Sequence, residues 1–254
     1  MQDFWEDLAK GGTWASHYKG ETGLNTYNFY TRRDAVEKLL KNEGRFARVL
    51  DIGCGSGDYL QVATAHEGAY FGLDYAYSMI EEARRQINGR ADEHLLLVGE
   101  GQQLPYQDKS FDLVMAMGYI EYFEDPTLPT REIRRVLKPG GTLVIQSFKR
   151  DMFSYLDQYG VNPLRNIFGR SNGFEFPSNW VDKKYSQRQL DRLLKDFGFV
   201  RKDFVFNNFH VLPGILRSRY PGRYIRISEA ISELNPSLWR FLAVNYIAKY
   251  KLLH

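Results

Sequence analysis

The chain has 254 residues, of which 43% are hydrophobic, 15% aromatic and 26% charged, a balance that supports a buried core and excludes disordered, collagen-like and coiled-coil fibrous proteins. Its formal charge of +3 is unevenly spread. Residues 1–150 carry 18 Lys and Arg against 22 Asp and Glu, a net −4, whereas residues 151–254 carry 16 against 9, a net +7, which fits either a solvated basic face or an anionic partner such as a membrane surface.

At this length one large α/β domain with a decorated end is expected. Residues 1–46 read as a helical lid, with Tyr18, Tyr27 and Tyr30 followed by Arg32 and Arg33, and with a helix over Thr31 to Lys41 that turns Val36, Leu39 and Leu40 inward. From residue 47 short apolar runs alternate with helical ones. Strands are predicted at Arg48–Ile52, Ala69–Leu73, Leu95–Val98, Phe111–Met115 and Thr142–Gln146. Helices are predicted near Tyr77–Arg85, closing before Gly89, and Arg131–Leu137, stopped by Pro139 and Gly140. Near-continuous apolar strands separated by helices indicate a doubly wound, mostly parallel sheet covered on both faces. Ser186-Gln187-Arg188-Gln189 is a capping box opening a helix that ends at Gly198, and Phe199–Phe206 then reads as a strand. A last strand is expected over Phe241–Tyr250. The core is thus drawn over 47–206, and 207–254 form an insertion and final strand on the substrate side, whose long connection, Asn207 to Pro236, has the length of a functional loop.

The most informative stretch is Val49-Leu50-Asp51-Ile52-Gly53-Cys54-Gly55-Ser56-Gly57-Asp58. A strand running into glycines and then a helix lets a ligand reach the backbone, with N–H groups pointing at it. Asp74 ends the second strand 21 positions after Gly53, where doubly wound folds place a carboxylate that takes two ribose hydroxyls. Val98-Gly99-Glu100-Gly101-Gln102-Gln103-Leu104-Pro105 adds a second acid to the same rim. Cys54, the one cysteine, reads as a packing residue of the turn; it excludes an internal disulfide and fits a reducing compartment. The acidic start, Met1 to Asp7, has no secretory pattern, and no apolar run is long enough to span a membrane. A cytoplasmic protein is expected.

With VLDIGCGSG, GLDYAYSMIEEAR, VGEGQQLP, FDLVMAMGYIEY and RVLKPGG in that order, the sequence resembles the class I S-adenosylmethionine-dependent methyltransferases of the small-molecule subgroup. The resemblance is close over 47–147, loose over 186–206 and slight elsewhere. It implies a seven-stranded Rossmann-like sheet with an antiparallel last strand and S-adenosylmethionine as cofactor. By the same resemblance, Asp51, Gly53 and Gly55 face the methionine and ribose portion, Asp74 holds the ribose hydroxyls, and Tyr75 and Met79 flank the adenine. Glu100 stands where the family often has aspartate for the adenine amino group, with Gly101 beside it, and Met117 and Gly118 line the path to the sulfonium. Arg33 is the candidate for the methionine carboxylate, and a solvent-exposed arginine on the first turn is its alternative; a core position on the helix face is the alternative for Met79.

Methyl transfer from a sulfonium is a displacement that needs alignment and exclusion of water, so a base is required only for an acceptor hydroxyl of high pKa. Tyr119 and Glu121, after the fourth strand, His210 in the late insertion and His17 are the candidates. The acceptor is expected to be a small molecule, methylated on oxygen or nitrogen. Residues 207–226, apolar and then rich in Arg217, Arg219, Arg223 and Arg226, suit either closure of the active site or contact with an anionic membrane or lipid-linked substrate. Two other classes compete: a catalytically silent S-adenosylmethionine-binding partner or sensor, and a nicotinamide-dependent oxidoreductase. The G-x-G-x-G spacing, with Asp58 in the third glycine position, argues against the latter. Nucleic acid is not expected as a partner, because neither a base-flipping motif nor a concentrated basic tract is present.

Overall fold

The computed structural model describes residue 6 and residues 24–87, 95–148, 183–211, 219–234 and 239–253. His17, Tyr18 and Arg217 lie outside them. Seven strands form one sheet in the order β3-β2-β1-β4-β5-β7-β6: β1 (Arg48–Ile52), β2 (Ala69–Asp74), β3 (Leu95–Val98), β4 (Phe111–Ala116), β5 (Leu137–Phe148), β6 (Phe199–Phe209) and β7 (Ala243–Leu252). β1 to β5 pair in parallel, and β7 runs antiparallel between β5 and β6. The doubly wound sheet read from the sequence is therefore the architecture found.

Among the described residues six helices flank the sheet: α1 (Leu24–Leu40), α2 (Leu60–Ala65), α3 (Tyr77–Ile87), α4 (Thr127–Val136), α5 (Gln187–Asp196) and α6 (Pro221–Glu233). Side chains alternate across a strand, so neighbouring residues enter different cores. Val49, Leu113, Met115, Val144 and Ile247 pack with Val36, Leu39 and Leu40 of α1, Val62 of α2 and Ile80 of α3. Leu50, Ile52, Val114, Leu143 and Ile145 pack on the other face with Ile133 and Val136 of α4 and Leu190 and Leu194 of α5. The capping box at Ser186 forms as read, with Ser186 N–H donating to Gln189 Oε1 at 2.9 Å and Gln189 N–H to Ser186 Oγ at 3.3 Å.

Several boundaries differ from the sequence reading. α1 starts at Leu24, not Thr31, and α4 at Thr127, not Arg131. β5 begins to pair at Leu137, opposite Phe111, before the ladder shifts so that Leu113 faces Thr142; the extra residues lie around Lys138-Pro139-Gly140-Gly141, where Gly140 has φ +74°. β6 continues to Phe209, so a division at 206 cuts a strand, and β7 covers 243–252 instead of 241–250. The connection from Asn207 to Pro236 contains a helix, α6, where the sequence suggests a loop. Tyr224 and Ser228 are buried there and Ile231 packs against the core, a helical spacing whose central serine weakens the apolar stripe.

α1 is tied to β7 by a buried cation. Lys249 Nζ donates to Leu39 O at 2.7 Å and to Glu43 Oε1 at 2.9 Å, and Lys251 Nζ reaches Glu43 Oε2 at 2.9 Å. Burial alone would push the Glu43 carboxyl up, but the hydrogen bonds from Lys249 and Lys251 outweigh it and hold the group below its ordinary value. This clamp fixes α1, which packs against β6 and β7.

Candidate functional site

In open α/β sheets ligands bind outside the carboxyl ends of the strands, where the strand order reverses. Here that point lies between β1 and β4. The turn after β1 uses three left-handed glycines, Gly53 at φ +71°, Gly55 at +51° and Gly57 at +83°, a conformation in which a Cβ is strained. The N–H groups of Gly53 and Cys54 both donate to Leu73 O, at 2.8 and 3.1 Å, which ties the turn to the end of β2. Cys54 is buried, and its Sγ stands 2.9 Å from where a Cβ on Gly72 would be, so it is a packing residue as read. Gly53 is left exposed and forms an open stretch of backbone at the mouth of the crevice.

Asp74 is fixed by the same turn. Its Oδ2 accepts from Gly55 N–H at 2.8 Å and its Oδ1 from Ala76 N–H at 2.9 Å. Burial raises its pKa, and the bonds from Ala76, Gly55 and Tyr75 offset part of that rise. Half-buried and aimed by two amides, it keeps lone pairs for hydroxyl donors. Tyr75 follows it at the surface, and Met79 is buried on α3. Glu6 adds a contact that sequence reading missed: its carboxylate accepts from Tyr77 N–H at 2.7 Å and Ser78 N–H at 3.1 Å, at the N-terminus of α3.

Asp51, near the end of β1, lies under the turn. It is fully buried; Tyr70 Oη donates to its Oδ2 at 2.7 Å, and its Oδ1 has no partner among the described residues. Burial, partly countered by the Tyr70 bond and reinforced by the neighbouring Asp58 and Asp74 carboxylates, pushes its pKa up to about 7. The opposite wall is Glu100, exposed, and Gly101. Arg135 secures the loop that follows, binding Leu104 O, Tyr106 O, Glu132 and Asp108 at 2.7–2.9 Å. Met117 packs into the core shared with α1, α2 and α3.

Tyr119 and Glu121 do lie at this edge, both buried. The Tyr119 ring is edge-on to Phe123 at 4.9 Å between centroids. Burial first, then the Glu132 charge, pushes its phenol well above the ordinary value, so it stays protonated and donates. Glu121 sits in a 3-10 turn, Ile120–Tyr122, whose Glu121 O accepts from Lys183 N–H at 2.9 Å. Its Oε1 and Arg32 Nη1 lie 3.8 and 3.4 Å from the point a Cβ on Gly118 would occupy.

Arg32, not Arg33, is the inward arginine. It is buried, donates to Gln146 Oε1 at 3.2 Å, and lies over the Phe29 ring at 4.3 Å. Gln146 Nε2 donates to Asn245 Oδ1 at 3.1 Å, and Asn207 Nδ2 to Thr31 Oγ1 at 3.3 Å. Arg33 instead pairs with Glu37 at 3.9 Å, and its guanidinium meets the Gln61 carboxamide oxygen at 2.6 and 2.9 Å once that amide is turned to face it. Arg32 shares the i, i+4, i+8 row of the buried Val36 and Leu40, a signal the sequence does contain. Gln146, Asn207 and Asn245 have none, since three strands distant in sequence bring them together. His210, half-buried, follows β6 with its N–H on Leu242 O at 2.8 Å and its ring 6.4 Å from that of Tyr224.

These residues fit a nucleoside cofactor: an oriented carboxylate, an open glycine backbone and a buried phenol, with no cluster of metal ligands among the described residues. Comparison with known proteins agrees. Residues 50–145 match the model of a family described as a methyltransferase domain. Curated relatives include demethylmenaquinone methyltransferases of Geobacillus stearothermophilus, 29% identical over 50% of this chain and 56% of its own length, and of Geobacillus kaustophilus, 29% identical over 66% and 76%. An O-methyltransferase of Aspergillus nomiae is 34% identical over 44% of this chain and 51% of its own. The chain thus spans about half the length of the first and third of these. Among solved structures, magnesium protoporphyrin IX methyltransferase from Synechocystis, with bound S-adenosylhomocysteine, superposes with a TM-score of 0.64 at 15% identity, covering 99% of this chain and 97% of that one. A methyltransferase from Thermotoga maritima gives 0.61 at 20% identity over 99% of each; both show a shared fold.

Because Asp51 holds its proton to about pH 7 when folded and loses it near pH 4 when unfolded, its favourable contribution is complete below pH 4 and is lost as pH rises through 7. Asp51→Asn, which cannot ionise, should gain stability over the wild type increasingly from pH 5 to pH 8, read as the difference in urea midpoints.

Proposed function

We propose that this chain is a class I S-adenosylmethionine-dependent methyltransferase, a reading supported by the match of residues 50–145 to a methyltransferase domain, and that it methylates an oxygen or nitrogen of a small-molecule acceptor bound over the ends of β4, β5 and β6 and the start of β7. The observation that carries this reading is the buried polar set Arg32, Glu121, Gln146, Asn207 and Asn245 beside the cofactor crevice. Buried hydrogen-bonding groups recognise polar functions and reject plain hydrocarbon. The named activities of the Geobacillus and Aspergillus relatives support a small-molecule acceptor.

When bound, the cofactor supplies a methyl group already activated by positive sulfur. The protein's part is to hold and align. Asp74 takes the ribose hydroxyls, the Gly53 and Gly55 backbone lets the cofactor lie close, Tyr75 and Met79 border the adenine, and Glu100 with Gly101 borders its amino group. Glu121 is the group suited to take a proton from a hydroxyl acceptor, and a neutral amine needs no such base. Arg33 and His210 have no assigned part in this reading.

Thermal unfolding should show S-adenosylhomocysteine at a hundred times its Kd adding about 2.7 kcal/mol, with NAD adding nothing. Asp74→Ala should weaken that binding about 10- to 100-fold, the loss expected for hydrogen bonds to a charged group. Stabilisation by NAD alone overturns the reading, and cofactor binding without turnover across phenols, quinols and amines favours a silent binder. With a hydroxyl acceptor, Glu121→Gln should lower kcat about 100-fold while leaving the cofactor Kd in place; equal kcat removes Glu121 as base.

A peripheral membrane contact is part of the same proposal. Arg219, Tyr220, Arg223 and Arg226 are exposed at the start of α6, and residues 212–218 of the expected contact lie outside the described residues. No described helix is long and apolar enough to cross a membrane. Phosphatidylserine vesicles should co-sediment with the protein at low salt and release it at high salt, and less should bind after Arg223→Glu with Arg226→Glu; no sedimentation removes this part of the proposal.

A further inference from the structure

Tyr119 has a place in the fold that the search for a base does not explain. It is 7% exposed and its hydroxyl has no hydrogen-bond partner among the described residues. Its ring edge lies 3.7 Å from where a Cβ on Gly53 would stand, and its hydroxyl 2.0 Å from the same point on Gly101. One side chain therefore spans the crevice from the glycine turn after β1 to the wall after β3, and Gly101 is glycine because the phenol fills the space a side chain would need. A buried hydroxyl without a partner is destabilising, and the Phe123 contact that holds the ring needs no oxygen.

We propose that the Tyr119 hydroxyl is a donor whose partner is the nucleoside half of the bound cofactor, so that the same oxygen destabilises the free protein and tightens the complex. This rests on the cofactor site proposed above. It assigns Tyr119 to binding, not to proton abstraction, and it makes Tyr119 and Gly101 a matched pair.

Tyr119→Phe removes the oxygen and keeps the ring. Free wild type and variant are compared by urea unfolding, and their affinities for S-adenosylhomocysteine and for 5′-methylthioadenosine, which lacks the amino acid half, by calorimetry. The expected result is an equal or higher unfolding midpoint for the free variant together with about 3- to 10-fold weaker binding of both nucleosides, the worth of one neutral hydrogen bond. A merely structural tyrosine would lower the midpoint and leave both affinities alone, which overturns the inference. So does a lower midpoint with weaker binding, since the hydroxyl then has a partner in the free protein, and so does a loss confined to S-adenosylhomocysteine, which places the phenol at the amino acid half. Wild-type protein that binds neither nucleoside removes the cofactor reading itself, whereas binding that Tyr119→Phe leaves unchanged removes only this inference. Gly101→Ala should weaken cofactor binding, and Tyr119→Ala in the same chain should restore part of it; an unaltered affinity in Gly101→Ala also overturns the matched pair.

Discussion

The site depends on how the turn after β1 is fastened to the end of β2. Leu73 O receives two amides, from Gly53 and Cys54, and the Asp74 carboxylate receives Gly55 N–H and Ala76 N–H. These four bonds set the open glycine backbone and the Asp74 carboxylate in one frame. They are possible because the left-handed φ of Gly53 and Gly55 turns successive N–H groups toward the neighbouring strand. Buried polar bonds of this kind are costly to leave unmade, so the turn has one stable position and the cofactor meets a preformed crevice.

Around that frame the crevice holds polar atoms that the protein itself does not fully satisfy. Asp51 Oδ1 and Tyr119 Oη are both buried without a partner among the described residues, and Asn207 Oδ1 is a third. Native proteins pair most such groups. Each such group lowers the stability of the free protein.

The buried polar set around Arg32 is built by tertiary packing. The Lys249–Glu43–Lys251 clamp holds α1 over β7, and α1 carries Arg32 down to Gln146, which reaches Asn245 across the β5–β7 ladder. Gln146 pairs with Ile247, two residues along from Asn245, and Asn207 lies opposite Asn245 on β6. The antiparallel β7 is what allows this. Its start lies beside the ends of β5 and β6, so residues from 146, 207 and 245 meet at one edge.

The chain sequence by itself determined the sheet class, the glycine turn, Asp74 and the capping box at Ser186, because each depends on local rules: apolar runs of strand length, glycine's freedom at positive φ, and a serine three residues before a glutamine. It also held, unused, the stride of four that makes Arg32 inward and Arg33 outward. Only the tertiary structure decided that Asp51 lies beneath the turn, that Met117 belongs to the core, that α6 interrupts the late connection, and that Tyr119 reaches Gly101. Those facts depend on which strands lie side by side and how closely, and residue spacing along the chain does not encode distance between strands 18 or 100 positions apart.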